Sequence, residues 1–587
     1  MDQKRLFLAI AISIAILLGF QLLVRPQMPH PLPLEAAGSS TSPSAKSPAA
    51  KPGETLVPDG LVTAAVPKDV PRLKIVAPRM TGSISLLGGR IDDIILNDYR
   101  ETLAPDSPRV RLLEPRSDSQ PYYVQYGWTA APGTNVKVPD SDTVWTASAD
   151  LLGAGKPVTL TWNNNAGLTF ELALTVDDDY MFSVRQAVRN ATGAPVSLYP
   201  WSRIRRDYKP ELSGYSVLFE GMLGVVGGTL QETTYDSAKS NAEKHKDDTD
   251  PNERDVAYKA SSVGGWAGIT DKYWLTALVP DQAIANSVRF LYVGGGNHYQ
   301  VDYKTDEPQI VAPGGEAALA SHMFAGAKVV RLLDTYESRY TIPHFDKAVD
   351  FGWFYFLTKP IFYALDWLND LLGNFGVAIL VFTVFAKLLF FPLANYSYRS
   401  MSRMKLLAPK MQALREQFKD NPQELQKRTM GLYKEEKVNP ASGCLPMLVQ
   451  IPVFFSLYKV ILVTIEMRQA PFFGWIQDLS VVDPTNIFNL FGIIPFNPAT
   501  LTPFLHMGVW PLIMGCTMFL QQKMNPPPPD PVQAKVFQFM PIIFTFMMAS
   551  FPAGLVIYWS WNNTLSVAQQ WLIQRRTSLP KPNLART

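Results

Sequence analysis

The chain has 587 residues, of which 47% are hydrophobic and 18% charged, and a formal net charge of +3. That length has room for several domains at ~100–200 residues each, and so small a net charge does not by itself point to a polyanionic partner. The two cysteines, Cys444 and Cys516, lie in apolar stretches far from any histidine, which excludes a disulfide framework and argues against a metal site.

The first predicted element is a helix over residues 1–25, where the apolar run LFLAIAISIAILLGFQLLV follows Lys4 and Arg5. A signal peptide would have a shorter apolar core, of about 7–15 residues, and a small-x-small cleavage site. Arg25 and Pro26 follow instead, so an uncleaved anchor with its basic end in the cytoplasm is the better reading. No cysteine stands near its end, which excludes lipoprotein anchoring. Residues 26–71 hold ten prolines among Ser, Ala, Lys and Gly, a composition that reads as an extended tether.

From 72 to 346 the period changes to two. Thr169 to Val176 alternates, breaks at Asp177-Asp178-Asp179, and resumes at Val184, Gln186 and Val188, as an antiparallel hairpin with one buried face requires. Shorter runs recur at 83–87, 91–96, 158–162, 288–293 and 300–303, which predicts an all-β sandwich. The charged stretch 241–254 (NAEKHKDDTDPNER) is expected to be an exposed loop.

Beyond Pro343 the chain turns apolar. Residues 347–374 carry Lys359, Asp366 and Asp370 among aromatics, with Pro360, and suit an amphipathic helix lying in a membrane interface. Spans are expected at 375–394, 444–465, 505–523, 536–550 and 553–573 within a core over 375–576, followed by a tail over 577–587. Residues 395–440 hold ten basic and five acidic residues, so that loop is placed in the cytoplasm. The remaining loops agree, which gives six spans with both termini cytoplasmic and the β domain outside.

Two stretches carry chemistry. Lys387 is the single charge within 375–394, and a lysine at such depth costs roughly 2.5–3.5 kcal/mol on insertion scales. Snorkelling to the cytoplasmic end accounts for part of this. A water-filled groove accounts for more, lined by Thr383 one turn away, by Gln450, and by the polar residues of the last span, among them Asn562, Asn563, Ser566 and Gln569. The loop 395–440 reads as a helical hairpin with Met401, Met404 and Met411 on one stripe, interrupted around Leu406, Leu407 and Pro409. It is either an ordinary solvated hairpin or a client-binding surface whose flexible methionines adapt to varied apolar segments. Arg403 and Lys405 flank that stripe, and the net basic surface also suits anionic lipid or ribosomal RNA.

The chain resembles the YidC/Oxa/Alb membrane insertases, most nearly their Gram-negative form. The resemblance rests on Lys387 to Pro392 with Tyr396, KLLAPKMQALRE from Lys405, LYKEEKVNPASGCLPMLVQIPVF from Leu432, RQAPFFGWIQDLS from Arg468, MPIIFTF from Met540, FPAGLVIYW from Phe551 and GGWAGITDKYWLTALVP from Gly264. It implies an α-helical polytopic membrane protein, with a five-helix core, an anchor helix and a periplasmic all-β supersandwich. It further implies a hydrophilic groove containing Lys387, Thr383, Gln450, Tyr558, Trp559 and Asn563, which attracts polar substrate while apolar segments leave into lipid. The implied partners are nascent membrane proteins, ribosome–nascent chain complexes, the Sec translocon and membrane lipid, with no cofactor and no small-molecule substrate. Relatives usually carry arginine at the position of Lys387 and often tyrosine at Trp559, and residues 487–503 lengthen a periplasmic loop. Lysine keeps the charge and loses the planar fork, so attraction to carboxylates is expected without bidentate recognition.

Two other classes fit the sequence less well. The β domain of this family resembles sugar mutarotases, but His245, His298, His322, His344 and Glu220 are scattered, with no legible acid/base pair, so no enzyme is expected. A solute transporter would have repeats or paired broken helices, and neither is clear. There is no Walker motif, so no ATP is implied.

Overall fold

The computed structural model describes residues 70–577 except 216, 246–254, 294–295, 420, 437–444, 497, 499–504 and 526–530. The expected anchor, nearly all of the tether and the tail beyond residue 577 lie outside the described residues. Contacts divide the described chain into two units, one ending at Asp350 and one beginning at Phe351.

The first unit is built of two large, almost wholly antiparallel sheets of 11 and nine strands. In the strand Leu168–Val176 every second residue is buried, from Leu168 through Phe170, Leu172 and Leu174 to Val176. At the following turn, Asp177 Oδ1 accepts from the N–H groups of Asp179 and Met181, both at 3.0 Å. The strand Met181–Asn190 then returns with Phe182 opposite Val176. The sheets pack face to face. Trp128 of one meets Phe170 of the other edge-on at 5.1 Å, and Gln186 Nε2 donates to Gly127 O across the interface at 2.9 Å. Burying each such aromatic or aliphatic side chain contributes on the order of 1.5–3 kcal/mol. Of the loop expected over 241–254, residues 246–254 lie outside the described residues and 241–245 are helical rather than loop. They close α1 (Tyr235–Ala242) and the 3₁₀ turn after it, because Tyr235, Ala238 and Ala242 form a buried stripe at three- and four-residue steps. A second helix, α2 (Val330–Arg339), follows the last strand.

The second unit is helical. Its first helix, α3 (Tyr355–Leu372), buries Thr358, Ile361, Phe362, Leu365 and Leu368 and leaves Phe356, Trp367 and Leu371 exposed. Gly373 ends it in a left-handed conformation (φ 68°), and the Asn374 side chain accepts from Val377 N–H at 3.0 Å to start α4 (Phe375–Leu389). The unbroken span expected over 375–394 is absent. After α4 the chain turns by 67° into α5 (Phe391–Gln417). Pro392, the second residue of α5, has no N–H with which to continue the ladder of α4, and so the break falls there.

Four more helices fall on the other expected segments: α7 (Leu445–Val463), α8 (Val509–Met524), α9 (Pro531–Met548) and α10 (Ala553–Thr577). Between α5 and α7 lies α6 (Pro422–Glu435), capped by the Asn421 side chain and tied back to α5 by Lys410 Nζ and Glu436 Oε1 at 2.7 Å. Among the described residues no single helix is long and apolar enough to cross a membrane. By length and composition, the bent pair Phe375–Leu389 and Phe391–Met404 together is.

Candidate functional site: a charged cavity among helices

Lys387 sits in the last turn of α4, one turn beyond Thr383, whose hydroxyl donates to Ile379 O at 2.6 Å. The break at Phe390 brings Leu393, Ala394 and Tyr398 of α5 to the same space as Lys387. Val449, Gln450 and Val453 of α7 supply another wall, and Tyr558, Asn562 and Gln569 of α10 complete it. Together with Ala386 and Phe390 these residues enclose about 550 Å³, counted with the open mouth.

The electrostatics are one-sided. Lys387 is the single charged residue in that lining. Its Nζ donates to Ser566 Oγ at 2.8 Å, and Ser566 Oγ in turn donates to Asn562 O at 2.8 Å. No ion pair to Lys387 is present among the described residues. Gln450 Nε2 hydrogen-bonds the Tyr558 hydroxyl, and Gln569 Nε2 is buried with no partner among the described residues. The cavity therefore presents a cation, amides and hydroxyls on one part of its wall, and Phe390, Leu393 and valines on another. Such a lining attracts acidic and polar groups and tolerates apolar ones alongside.

Six of the residues read from the sequence line the cavity, namely Lys387, Thr383, Gln450, Tyr558, Asn562 and Gln569, and Ser566 bonds the lysine. Two do not. Trp559 packs on Phe454 (centroids 4.6 Å) and Phe544 (6.0 Å), and Asn563 reaches Thr517 of α8 at 3.4 Å. Tyr398 joins the lining without having been read from the sequence. Tyr558, Asn562 and Ser566 recur every four residues and Gln569 three later, which puts them on one face of α10.

On the hairpin, Met401, Met404 and Met411 are half-buried and Arg403 is exposed; the Lys405 side chain lies outside the described residues. Among its described residues Tyr396 (59% exposed), Leu406 (64%) and Met430 (49%) are the large apolar side chains in the open. In the first unit, His298 bonds Asp207 at 2.8 Å, His322 bonds Ser183 at 3.0 Å, and Glu220 accepts from Ser213 and Lys272. Among the described residues only Glu337, His344 and Asp346 have metal-ligand spacing, within 4.8 Å of one another, and Glu337 already accepts the Asp346 N–H at 3.2 Å.

Residues 72–364 match the family described as the YidC periplasmic domain, and residues 367–581 match the 60Kd inner membrane protein. A relative from Granulibacter bethesdensis, the membrane protein insertase YidC, is 60% identical over 592 residues, covering 100% of both chains. The chain belongs to the YidC family of membrane protein insertases. The YidC of Acidiphilium cryptum is 55% identical over 524 residues, covering 88% of this chain and 86% of its own. A solved structure of an active YidC insertase aligns with 86% of this chain and 93% of its own, at 17% identity and a TM-score of 0.34. Membership rests on the sequence relatives. In YidC terms the β-rich unit is the periplasmic domain and the helical unit belongs to the inner membrane.

Proposed function

We propose that this insertase works by drawing polar, acidic parts of nascent membrane proteins toward Lys387 while their apolar segments leave into lipid along the helices. Lys387 supports this as the single charge of a cavity otherwise lined by amides, hydroxyls and apolar groups. A cation with only a hydroxyl partner is free to exchange that partner for a substrate carboxylate, and the attraction is stronger there than in bulk water. An open, polar cavity also shortens the stretch of hydrocarbon that a polar segment must cross.

In this reading the basic hairpin of α5 and α6 faces the cytoplasm with both chain termini, and residues 1–25 form a first span. The bent pair α4–α5 and helices α7 to α10 form the membrane core, and α3 lies in the outer interface. Leu406 and Met430, with Met401, Met404, Met411, Arg403 and Lys405, receive clients on the hairpin. Ribosome–nascent chain complexes and the Sec translocon are the partners that would deliver clients, and the cavity needs neither to act on a short single-span protein.

The test is protease protection of a short-tailed, single-span substrate added to liposomes that contain this protein alone. Protection above protein-free liposomes, lost in Lys387→Glu, is the expected result. Absence of protection by folded protein would overturn autonomous insertion.

A further inference from the structure

The connection between α7 and α8 has a property that the insertion cavity does not use. From Pro484 to Gln522 the sequence contains no Asp, Glu, Lys or Arg. Within it, six large apolar side chains stand exposed over nine residues: Phe488 (44%), Leu490 (52%), Phe491 (59%), Ile493 (79%), Ile494 (43%) and Phe496 (48%). A water-facing loop of an ordinary protein does not concentrate such residues; exposed patches of this kind mark a contact surface.

The segment is folded on itself. Phe491 N–H donates to Asn486 O at 2.9 Å, Ile493 N–H to Leu490 O at 3.3 Å and Ile494 N–H to Asn489 O at 3.1 Å. The Asn486 side chain accepts from Phe488 N–H at 3.1 Å and donates to Leu505 O at 2.8 Å. Leu490 (φ 52°) and Phe491 (φ 60°) are both left-handed, a conformation bulky residues adopt only where the surroundings impose it. The root is fixed by buried Asp483, which accepts from Trp475 Nε1 at 3.1 Å, Thr485 Oγ1 at 2.7 Å and Trp510 N–H at 2.9 Å. Satisfied backbone beneath exposed apolar side chains is what lipid requires of irregular chain.

Position supplies the remaining argument. The same connection packs over the starts of α4 and α10: Asn374 Nδ2 donates to Phe472 O at 3.2 Å, and Ala553 N–H to Val481 O at 2.7 Å. The basic hairpin leaves from the other end of α4. We propose that residues 487–496 form a lipid-anchoring knuckle seated in the periplasmic leaflet of the membrane. The leaflet assignment rests on the topology proposed above. The lipid contact rests on the uncharged sequence and the six exposed side chains, and lipid is the favoured occupant because a protein partner would ordinarily be matched by some polar or charged rim.

The test places a nitroxide on the full chain, in a Cys444→Ser, Cys516→Ser background, at Phe491→Cys or Ile493→Cys, with Glu435→Cys on the hairpin as the aqueous control. The protein is reconstituted into phosphatidylethanolamine–phosphatidylglycerol vesicles, and collisions with oxygen and with a water-soluble nickel chelate are compared. Oxygen-to-nickel ratios at 491 and 493 at least threefold above that at 435 are expected. Ratios equal to the control would place the knuckle in water, and low collision rates with both reagents would place it under protein; either overturns the proposal. A membrane-impermeant maleimide against Gln477→Cys reports sidedness separately. Reaction only from the hairpin's side would overturn the topology and the leaflet while leaving the lipid contact to the nitroxide.

Discussion

Lys387 Nζ and Ser566 Oγ, 179 positions apart in sequence, meet at 2.8 Å and join α4 to α10 beside the cavity. The lysine thus has a neutral partner where a carboxylate would have cancelled its charge. If charge is what the cavity offers, Lys387→Arg retains insertion within about threefold and Lys387→Glu lowers it by roughly tenfold or more, equivalent to about 1.4 kcal/mol. Liposome protection of an acidic-tailed substrate checks both, and equal activity of the two variants removes the electrostatic role.

Ser566 separates attraction from anchoring. Ser566→Ala removes the hydroxyl's bonds to Lys387 and to Asn562 O, a loss of about 1 kcal/mol for each, and insertion should fall little because the charge remains. Ser566→Asp supplies Lys387 with a permanent counterion at the same place and should lower insertion nearly as far as Lys387→Glu. Insertion by Ser566→Asp at the level of Ser566→Ala would mean that substrate does not compete for this ammonium group.

How much of this was legible in the sequence depended on the range of the interaction. The alternation from Thr169 to Val176 gave the strand and its buried face, since period two is local. The 67° break was missed because hydropathy sums composition over a window and does not register that Pro392 lacks an N–H. Composition alone names Asn562, Asn563 and Ser566 together, whereas the face that meets Lys387 is set by steps of four from Tyr558, which keeps Asn562 and Ser566 and turns Asn563 and Trp559 away. The pairing of Asp302 with Arg203 and Arg289 depends on register between distant strands, which no local pattern encodes.

Gly376 tests how tightly the start of α4 is held. A Cβ built there would lie 2.1 Å from Phe472 Cδ2. The Phe472 ring is itself packed against Phe473 (4.8 Å) and Trp510 (6.0 Å), so it has little room to retreat. Gly376→Ala should destabilise the helical unit by about 1–3 kcal/mol despite alanine's better helix propensity. A lower thermal midpoint of the detergent-solubilised chain is the expected reading, and an unchanged or higher one would show that the ring yields.

In the β-rich unit, Asp302 receives Arg203 Nε and Arg289, each at 3.1 Å, and all three side chains are at least nine-tenths buried. Asp302→Ala leaves two buried guanidinium groups without their shared carboxylate and should cost on the order of 3–5 kcal/mol. Asp302→Asn keeps an acceptor and should cost less. Pulse proteolysis of the full chain, scored by fragments from residues 72–350, reads the difference, and equal resistance of Asp302→Ala and the parent would contradict it.

His322 gives the β-rich unit a pH dependence of predictable sign. Burial, with the ring against Tyr340 at 4.3 Å and Nδ1 at 3.0 Å from Ser183 Oγ, holds its pKa below the usual 6.5. The folded state therefore favours the neutral ring, and protonation favours the unfolded chain. The contribution is fully present above about pH 6.5 and is lost as pH falls through the lower, folded value. His322→Asn retains a polar atom for Ser183 and cannot charge. Other titrating groups are common to both proteins, so between pH 7.5 and 5 the parent should lose more thermal stability than the variant. Parallel losses would show that the ring stays neutral, or is protonated without cost, throughout that range.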